Sequence, residues 1–308
     1  EHVVILMQEN QSFDHTFGKL RGVRGFNDPR AMTLPDGNPV WLQTNAAGET
    51  YAPFRLNLLD TKATWMGSLP HSRESQIAAF NHGKHDRWLQ AKRSGEKEYR
   101  QLPLTLGFYN RDDLPFYYAL ADAFTICDQN FCSTMTSTTP NRLYLWSGTI
   151  RAQPDIAAKA NLTNDDADFD TPVNWTTFPE RLEKLGVSWR VYQNEINLPT
   201  GFRGEEEPWL SNYGDNPLEY FTQYQVRFSA THRKYLASVQ KSLAAELEKL
   251  TAQTPPPEKQ IAEKKRQLAQ IEKELATWND ENFAGLSAFQ KNLFEKAFTT
   301  NVGDPDYR

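Results

Sequence analysis

The sequence has little cysteine, no long apolar run and no excess of basic residues. Its 308 residues include only Cys127 and Cys132, and two thiols do not make a disulfide framework, so cysteine usage leaves the compartment open. The longest purely aliphatic run, Val3 to Met7, is far too short to span a bilayer. Lys and Arg total 34 against 39 Asp and Glu, a net charge of −5, which argues against a general nucleic-acid binder.

The composition is that of a folded protein with a core, since 39% of the residues are hydrophobic and 24% are charged. The length allows one large domain or two smaller ones. The chain starts at Glu1, without an initiator Met or an apolar signal region, and it ends at Arg308 without a closing element. We therefore expect residues 1–308 to be a piece of a longer protein.

Apolar runs that alternate with helix start signals indicate the fold class. The runs at 2–7, 123–127 and 187–192 predict buried strands. Helices are predicted over 13–20 with Ser12 as the cap, over 72–92, and to about residue 122 after Asp113 as the cap. Further helices are predicted from Pro140 onward and from the capping box Thr177–Glu180 to Gly186. Repeated helix-then-strand units predict an α/β fold with a mainly parallel sheet.

The segment 228–280 has a different pattern. Leucines and other apolar residues form a heptad-like stripe on each side of the break Thr254–Pro257, which is not helical throughout. The stripes are Leu236, Val239, Leu243 and Leu250, then Ile261, Leu268, Ile271, Leu275 and Trp278. We predict a helical hairpin packed as an antiparallel coiled coil, which serves either as a structural insertion or as an arm for a partner or a membrane.

Ligands of open α/β sheets bind beyond the carboxyl ends of the strands, and two segments meet that rule. Glu9 and Asn10, the first of these segments, directly follow the first predicted strand, and their oxygens suit a divalent cation, although the pair is also typical of a polar turn.

A separate metal candidate is the pair His82 and His85. Their spacing fits one helix face, but Gly83 and the lack of a third ligand favour solvated surface residues.

The second segment that follows a predicted strand is 133–139, which is rich in hydroxyl residues and precedes Pro140-Asn141-Arg142. A hydroxyl at the start of a helix lies among unpaired backbone N–H groups, which favour a phosphate or a developing alkoxide. A metal ion would lower the hydroxyl pKa and make it a nucleophile, and Asn141 or Arg142 would contact phosphoryl oxygens. A simple capped helix start explains the same spacing, so both interpretations stay open.

Long motifs spread over nearly the whole chain carry a family resemblance. They are residues 4–18, which contain Glu9-Asn10, followed by 21–26, 113–122, 138–149, 175–182 and 189–195. In these motifs the chain resembles the bacterial phospholipase C and acid phosphatase phosphoesterase family, and it is most similar to the phosphocholine-preferring branch.

The resemblance implies an alkaline-phosphatase-like α/β/α sandwich that hydrolyses phosphate esters with a divalent metal ion. It implies that Glu9 and Asn10 bind the metal, and that Thr138 contacts the metal and is the nucleophile, with Ser137 and Thr139 as neighbouring alternatives. The pair Pro70-His71 resembles a family pair that lines the pocket, so His71 is a candidate general acid, although His71 taken alone is more typical of an ordinary surface histidine. Asn141 and Arg142 are the candidate substrate-binding residues.

The resemblance also implies further metal ligands, acidic residues and a His, in a C-terminal half of the same catalytic domain. That motif is not found before Arg308, so we expect residues 1–308 to be an incomplete N-terminal portion of one domain, with 228–280 inserted in it. The main hypothesis is a phosphodiester hydrolase that cleaves phospholipid to diacylglycerol and phosphocholine, contacts membrane lipid peripherally and acts outside the cytoplasm.

Two alternatives are a phosphomonoesterase on the same scaffold and a non-catalytic lipid- or partner-binding module that uses the coiled-coil arm. Aromatic faces would recognise choline, and the sequence supplies eight Trp, twelve Tyr and eighteen Phe as candidates.

Overall fold

The computed structural model describes residues 1–63 and 67–300, and the chain divides into two compact units, residues 1–137 and 138–308. The sequence shows no closing element at the end of the chain, and that end, at Arg308, lies outside the described residues. No helix in the described ranges has the length and apolar character needed to cross a membrane.

The first unit is built from short elements connected by long loops. Its helices are α1 (Phe13–Phe17), α2 (Arg73–Phe80), α3 (Trp88–Ala91) and α4 (Pro115–Ala123). Its strands are β1 (Gln43–Thr44), antiparallel to β2 (Thr50–Tyr51), and β3 (Phe54–Arg55), parallel to β4 (Gly107–Phe108). Buried apolar side chains include Leu34, Leu56, Ala79, Leu89, Leu104, Phe108 and Tyr118.

Helix starts in this unit follow the sequence signals more closely than helix ends do. Ser12 caps α1 as predicted, with its hydroxyl accepting the backbone N–H of His15, but the helix ends at Phe17 instead of residue 20. The predicted helix 72–92 is two helices, because Asn81 and His82 adopt left-handed backbone conformations that stop α2.

Asp113 is not the cap of α4, which starts after Leu114 without a side-chain cap. Its buried carboxylate instead accepts two hydrogen bonds from Arg55, at 2.8 and 3.0 Å, and further bonds from the backbone N–H groups of Leu58 and Asn110. The Arg55 guanidinium lowers the pKa of this carboxyl, and these hydrogen bonds outweigh the cost of burial. A long-range ion pair therefore replaces the predicted local cap.

The predicted strands of the first unit are not strands here. Residues 2–7 have no regular secondary structure, and Val3 and Val4 are about nine-tenths exposed. Ala123 is the last residue of α4, residues 124–127 form no strand, and the Phe124 side chain is exposed. A β-branched run becomes a strand only when a neighbouring strand accepts its backbone hydrogen bonds, and none of the described residues pairs with either segment.

The second unit is mainly helical. Its helices are α5 (Thr138–Ser147), α6 (Phe178–Lys184), α7 (Glu206–Leu210), α8 (Ala230–Thr251), α9 (Glu258–Thr277), α10 (Asp280–Ala284) and α11 (Ala288–Ala297). Strand β5 (Tyr192–Gln193) pairs in parallel with β6 (Thr299–Thr300), so the predicted strand 187–192 is shorter and starts later. The core contains Leu143, Ile150, Ala167, Val173, Leu218, Phe221, Tyr224, Leu293 and Ala297.

Two local signals in this unit act as predicted. Thr177 and Glu180 form the capping box that starts α6, and the Thr177 hydroxyl also bonds the buried Tyr224 hydroxyl. Gly186 follows α6 with a φ of +68°, which a glycine adopts without steric cost. Helix α5 starts at Thr138, two residues before the predicted Pro140.

Helices α8 and α9 pack against each other along their length. His232 near the start of α8 contacts Glu274 near the end of α9, with Nε2 3.1 Å from Oε1, so the two helices are antiparallel. Lys264 of α9 pairs with Glu246 of α8 at 2.7 Å, and Leu236 and Leu243 are buried. The role of this pair as an insertion in a larger domain stays a prediction.

The observed class is mixed α/β, with many helices and small parallel strand pairs, and it is consistent with an α/β phosphoesterase fold. Within the described ranges each sheet has two strands, so the mainly parallel sheet that the sequence predicted is seen only as two parallel pairs. The α/β/α sandwich therefore stays a prediction.

Candidate active site

The predicted metal ligands Glu9 and Asn10 lie in the first unit, in the irregular segment before α1, and both side chains are exposed. The neighbouring Gln8 accepts a hydrogen bond from the Tyr117 hydroxyl of α4 at 2.7 Å, which ties the segment to that helix. Carboxylate and carboxamide oxygens are the donor type that Mg²⁺ or Ca²⁺ prefers.

Two such residues do not complete a divalent-metal site, which needs more protein ligands or bound water. Across residues 1–63 and 67–300 there is no group of three or more His, Cys, Asp or Glu arranged to hold a metal ion. The donor chemistry of Glu9 and Asn10 therefore fits a metal, whereas the number of ligands does not.

His71, also in the first unit, stands directly before Ser72, the residue that caps α2. Its Nδ1 lies 2.9 Å from the carbonyl oxygen of Leu69, and the ring is exposed. Because a carbonyl only accepts, this contact assigns a proton to Nδ1, and Nε2 is the ring nitrogen left to contact a substrate. The role of His71 as a general acid stays a prediction.

The hydroxyl run ends at the start of α5, in the second unit. Thr136, Ser137 and Thr139 are buried, whereas Thr138, the first residue of the helix, is half-buried. The backbone N–H of Thr139 donates to the Asn164 side-chain oxygen at 2.9 Å, which fixes this end of the helix. Among these four hydroxyl residues, Thr138 is therefore the one with access to a substrate.

Helix α5 also places two other predicted residues close to Thr138. Asn141 and Arg142 follow it by three and four positions, so they lie on the same side of the helix. The Arg142 Nη1 atom donates to the backbone oxygen of Asp215 at 2.7 Å, and its Nη2 lies 3.3 Å from the Asp215 carboxylate. These bonds hold α5 to the loop before Pro217, and substrate binding by Arg142 stays a prediction.

His82 and His85 do not share a helix face, since His82 lies beyond the end of α2 and both residues have positive φ. The His85 ring packs edge-on against Phe80, with the ring centroids 5.0 Å apart, and burial lowers its pKa. His82 is exposed, as expected of a solvated surface residue, whereas His85 is half-buried.

A buried polar network in the second unit was not predicted. It includes Asn212, whose backbone carbonyl accepts the N–H of Asp215, the residue that binds Arg142 of α5. The Glu219 carboxylate accepts hydrogen bonds from the Asn212 side chain at 2.7 Å and from the backbone N–H of Asn197 at 2.8 Å. Burial, and to a smaller extent the charge of the buried Glu195, raises the pKa of Glu219 to about 8. A carboxylate inside the apolar run Pro217–Phe221 is the sequence signal that would have indicated it.

Comparison with known proteins gives the class to which these features belong. A sequence model of the phosphoesterase family matches residues 1–293. The chain belongs to the phosphoesterase family.

Individual relatives have more specific descriptions. The chain is 42% identical over 229 residues to a non-hemolytic phospholipase C of Burkholderia pseudomallei, an alignment that covers 73% of this chain and 31% of the relative. It is 47% identical over 241 residues to the hemolytic phospholipase C of Pseudomonas aeruginosa, covering 73% and 31%. It is 36% identical over 225 residues to phospholipase C B of Mycobacterium tuberculosis, covering 66% and 41%. The chain thus spans about a third of the length of the curated relatives that it matches.

Proposed function

We propose that this protein is a phosphodiester hydrolase of the phospholipase C type, which cleaves a phospholipid such as phosphatidylcholine to diacylglycerol and phosphocholine. Family membership and the names of the relatives support the class of reaction. The structural observation that carries the proposal is the position of Thr138. It is half-buried between the buried Ser137 and Thr139, and it is the first residue of a ten-residue helix whose N–H groups favour a phosphate.

In the proposed reaction the Thr138 oxygen forms a bond to phosphorus, the hydroxyl proton passes to solvent, and the bond from phosphorus to the alcohol oxygen breaks. His71 gives its Nε2 proton to the departing oxygen, so that diacylglycerol leaves as a neutral alcohol. Water then attacks the phosphorylated Thr138 and releases phosphocholine. Asn141, one helical turn after Thr138, donates its amide N–H groups to a phosphoryl oxygen.

We assign Glu9 and Asn10 as two of the ligands of a divalent metal ion, and Thr138 as a group that contacts it. When bound, such an ion would polarise the phosphoryl oxygens and favour the ionised hydroxyl. The remaining ligands are proposed to come from a further part of the catalytic domain, of which residues 1–308 form the N-terminal portion and α8–α9 an insertion. The fraction of each relative that the chain covers supports this proposal. An α/β/α sandwich and an extracytoplasmic location belong to the same proposal and are supported by the family resemblance.

Substitution of Thr138 in the full-length protein tests the nucleophile. Thr138→Ala should abolish metal-dependent hydrolysis of p-nitrophenyl phosphorylcholine and leave the thermal unfolding profile intact. Ser133→Ala, which removes an exposed hydroxyl from the same run, is the matched control and should keep full activity. Retained turnover by Thr138→Ala would assign the nucleophile to another residue.

The choice of substrate separates this proposal from the alternatives. Faster turnover of p-nitrophenyl phosphorylcholine than of p-nitrophenyl phosphate supports a phosphodiesterase, and the opposite order supports a phosphomonoesterase. Lipid binding without turnover of either substrate, lost when residues 230–280 are deleted, would support a binding module.

A further inference from the structure

A buried lysine lies beside the segment that carries His71. Lys92, directly after α3, is only 6% exposed. Its ammonium donates to the backbone oxygen of Pro70 and to the hydroxyl of Ser75, both at 2.9 Å. Burial lowers the pKa of Lys92 to about 8, and no carboxylate in the described parts of the chain pairs with it. An ammonium without an ionic partner is costly to bury, so the burial of Lys92 needs an explanation.

The two acceptors of Lys92 lie on either side of His71 in the chain. Pro70 immediately precedes the histidine, and Ser75 belongs to the first turn of α2, which starts just after it. The Ser75 hydroxyl donates to the Ser72 carbonyl oxygen at 2.9 Å, so the contact with Lys92 extends to the residue on the far side of His71. The contacts of Lys92 therefore constrain the backbone at both ends of a three-residue segment.

The position of Lys92 is itself fixed by the packing of α3. Its backbone N–H donates to the carbonyl of Trp88, and its ammonium lies 6.0 Å from the centroid of the Trp88 ring. Gln43, buried at 1% exposure, accepts the backbone N–H of Trp88 and donates to the carbonyl oxygens of Val40 and His85. These contacts tie α3 to β1, so the lysine is held on a rigid support.

We propose that Lys92 is a positioning residue for His71, which holds the Pro70-His71 segment so that Nε2 is aimed at the leaving-group oxygen. The inference rests on the proposed function, in which His71 is the general acid. An apolar side chain at position 92 would leave the Pro70 carbonyl and the Ser75 hydroxyl without their donor, and the segment would relax. A displacement of about 1 Å of a catalytic group lowers turnover by up to about 100-fold.

The test compares Lys92→Met, Lys92→Arg, His71→Asn and the double variant Lys92→Met/His71→Asn in the full-length protein. Lys84→Met, which removes an exposed lysine of the first unit, is the matched control. The measurements are kcat and KM for p-nitrophenyl phosphorylcholine between pH 5 and 9. Since p-nitrophenolate is a good leaving group, an ester of a simple alcohol is measured in parallel, because general acid catalysis matters more for it.

We expect Lys92→Met to lower kcat about 10- to 100-fold with KM nearly unchanged, and to remove the fall in rate at high pH that a general acid causes. Lys92→Arg should restore part of the rate, and the double variant should be no slower than His71→Asn, because the lysine acts through the histidine. A purely structural role would lower thermal stability and leave the shape of the pH profile unchanged. Ser75→Ala, which removes one acceptor and is a small change, gives a second measure if Lys92→Met does not fold, and should reduce kcat in the same direction.

Three results overturn the inference, and they are distinguishable. A double variant slower than His71→Asn by the full factor of Lys92→Met would show that Lys92 acts independently of His71, and the proposed function would stand. Full activity and an unchanged pH profile in His71→Asn would refute the role of His71 itself, and the role of Lys92 would fall with it. If Lys84→Met matched Lys92→Met in every measurement, the effect would be one of charge and not of position, which also contradicts the inference.

Discussion

Replacement of Glu219 by glutamine should remove a pH-dependent loss of stability from the second unit. The Glu219 side chain is buried and accepts hydrogen bonds from Asn212 and from the backbone of Asn197. Burial raises its pKa to about 8 from an ordinary value of 4.5, although these hydrogen bonds act in the opposite direction. Glutamine has the shape of the protonated carboxyl and keeps one acceptor oxygen, but it does not ionise.

The sign of the effect follows from the direction of the shift. A carboxyl whose pKa is higher in the folded state contributes stability that is fully present below the unfolded pKa and is lost as the pH rises to the folded pKa. For Glu219 that window runs from about pH 4.5 to about pH 8. At about 1.4 kcal/mol per pKa unit, the free energy of unfolding falls by at most about 5 kcal/mol across it.

The assay is the midpoint of thermal or urea unfolding of wild type and Glu219→Gln between pH 5 and 9. The two proteins should be similar in stability near pH 5, and the variant should be the more stable one at pH 8 and above. Glu248→Gln, which changes an exposed glutamate of α8, should follow the wild-type curve. Parallel curves for wild type and Glu219→Gln would show that ionisation of Glu219 does not destabilise the folded state in this pH range.

Three further substitutions test other parts of the structure. Leu143→Ala, at a fully buried core position, should lower the free energy of unfolding by about 2–5 kcal/mol, whereas Leu145→Ala on the same helix should cost under about 1 kcal/mol. Arg142→Met should cost about 1–2 kcal/mol in urea unfolding through its lost bonds to Asp215, and an unchanged midpoint with lost activity would place the guanidinium on the substrate. Asp113→Asn should lower the unfolding midpoint because it removes the ion pair with Arg55. An unchanged midpoint would show that this ion pair does not stabilise the fold.

Features set by neighbouring residues were predictable from the sequence, and features set by distant residues were not. The Ser12 cap and the Thr177–Glu180 capping box depend on residues within one helical turn, and both are present. Residues 2–7 have the composition of a strand, but strand formation depends on partners elsewhere in the chain, and the described residues supply none. Asp113 has the sequence context of a cap, yet Arg55, 58 positions earlier, binds its carboxylate instead.

The candidate site shows the same division. The hydroxyl run before Pro140 indicated a helix start, and the structure distinguishes Thr138 from its buried neighbours Ser137 and Thr139. Local spacing did not indicate that Arg142 bonds Asp215, because that loop is 73 positions away. Lys92 is preceded by Ala and followed by Arg in a polar stretch, so nothing in its local sequence predicted a buried ammonium that contacts the Pro70-His71 segment.

The most direct test of the central claim is to trap the phosphorylated intermediate on Thr138. The full-length protein would be mixed with p-nitrophenyl phosphorylcholine, quenched in acid within milliseconds and digested, and the peptides would be mapped by mass spectrometry. We expect a phosphocholine adduct on the peptide that contains Thr138, absent from Thr138→Ala and present in Ser133→Ala. An adduct on a different residue, or full turnover by Thr138→Ala, would contradict it.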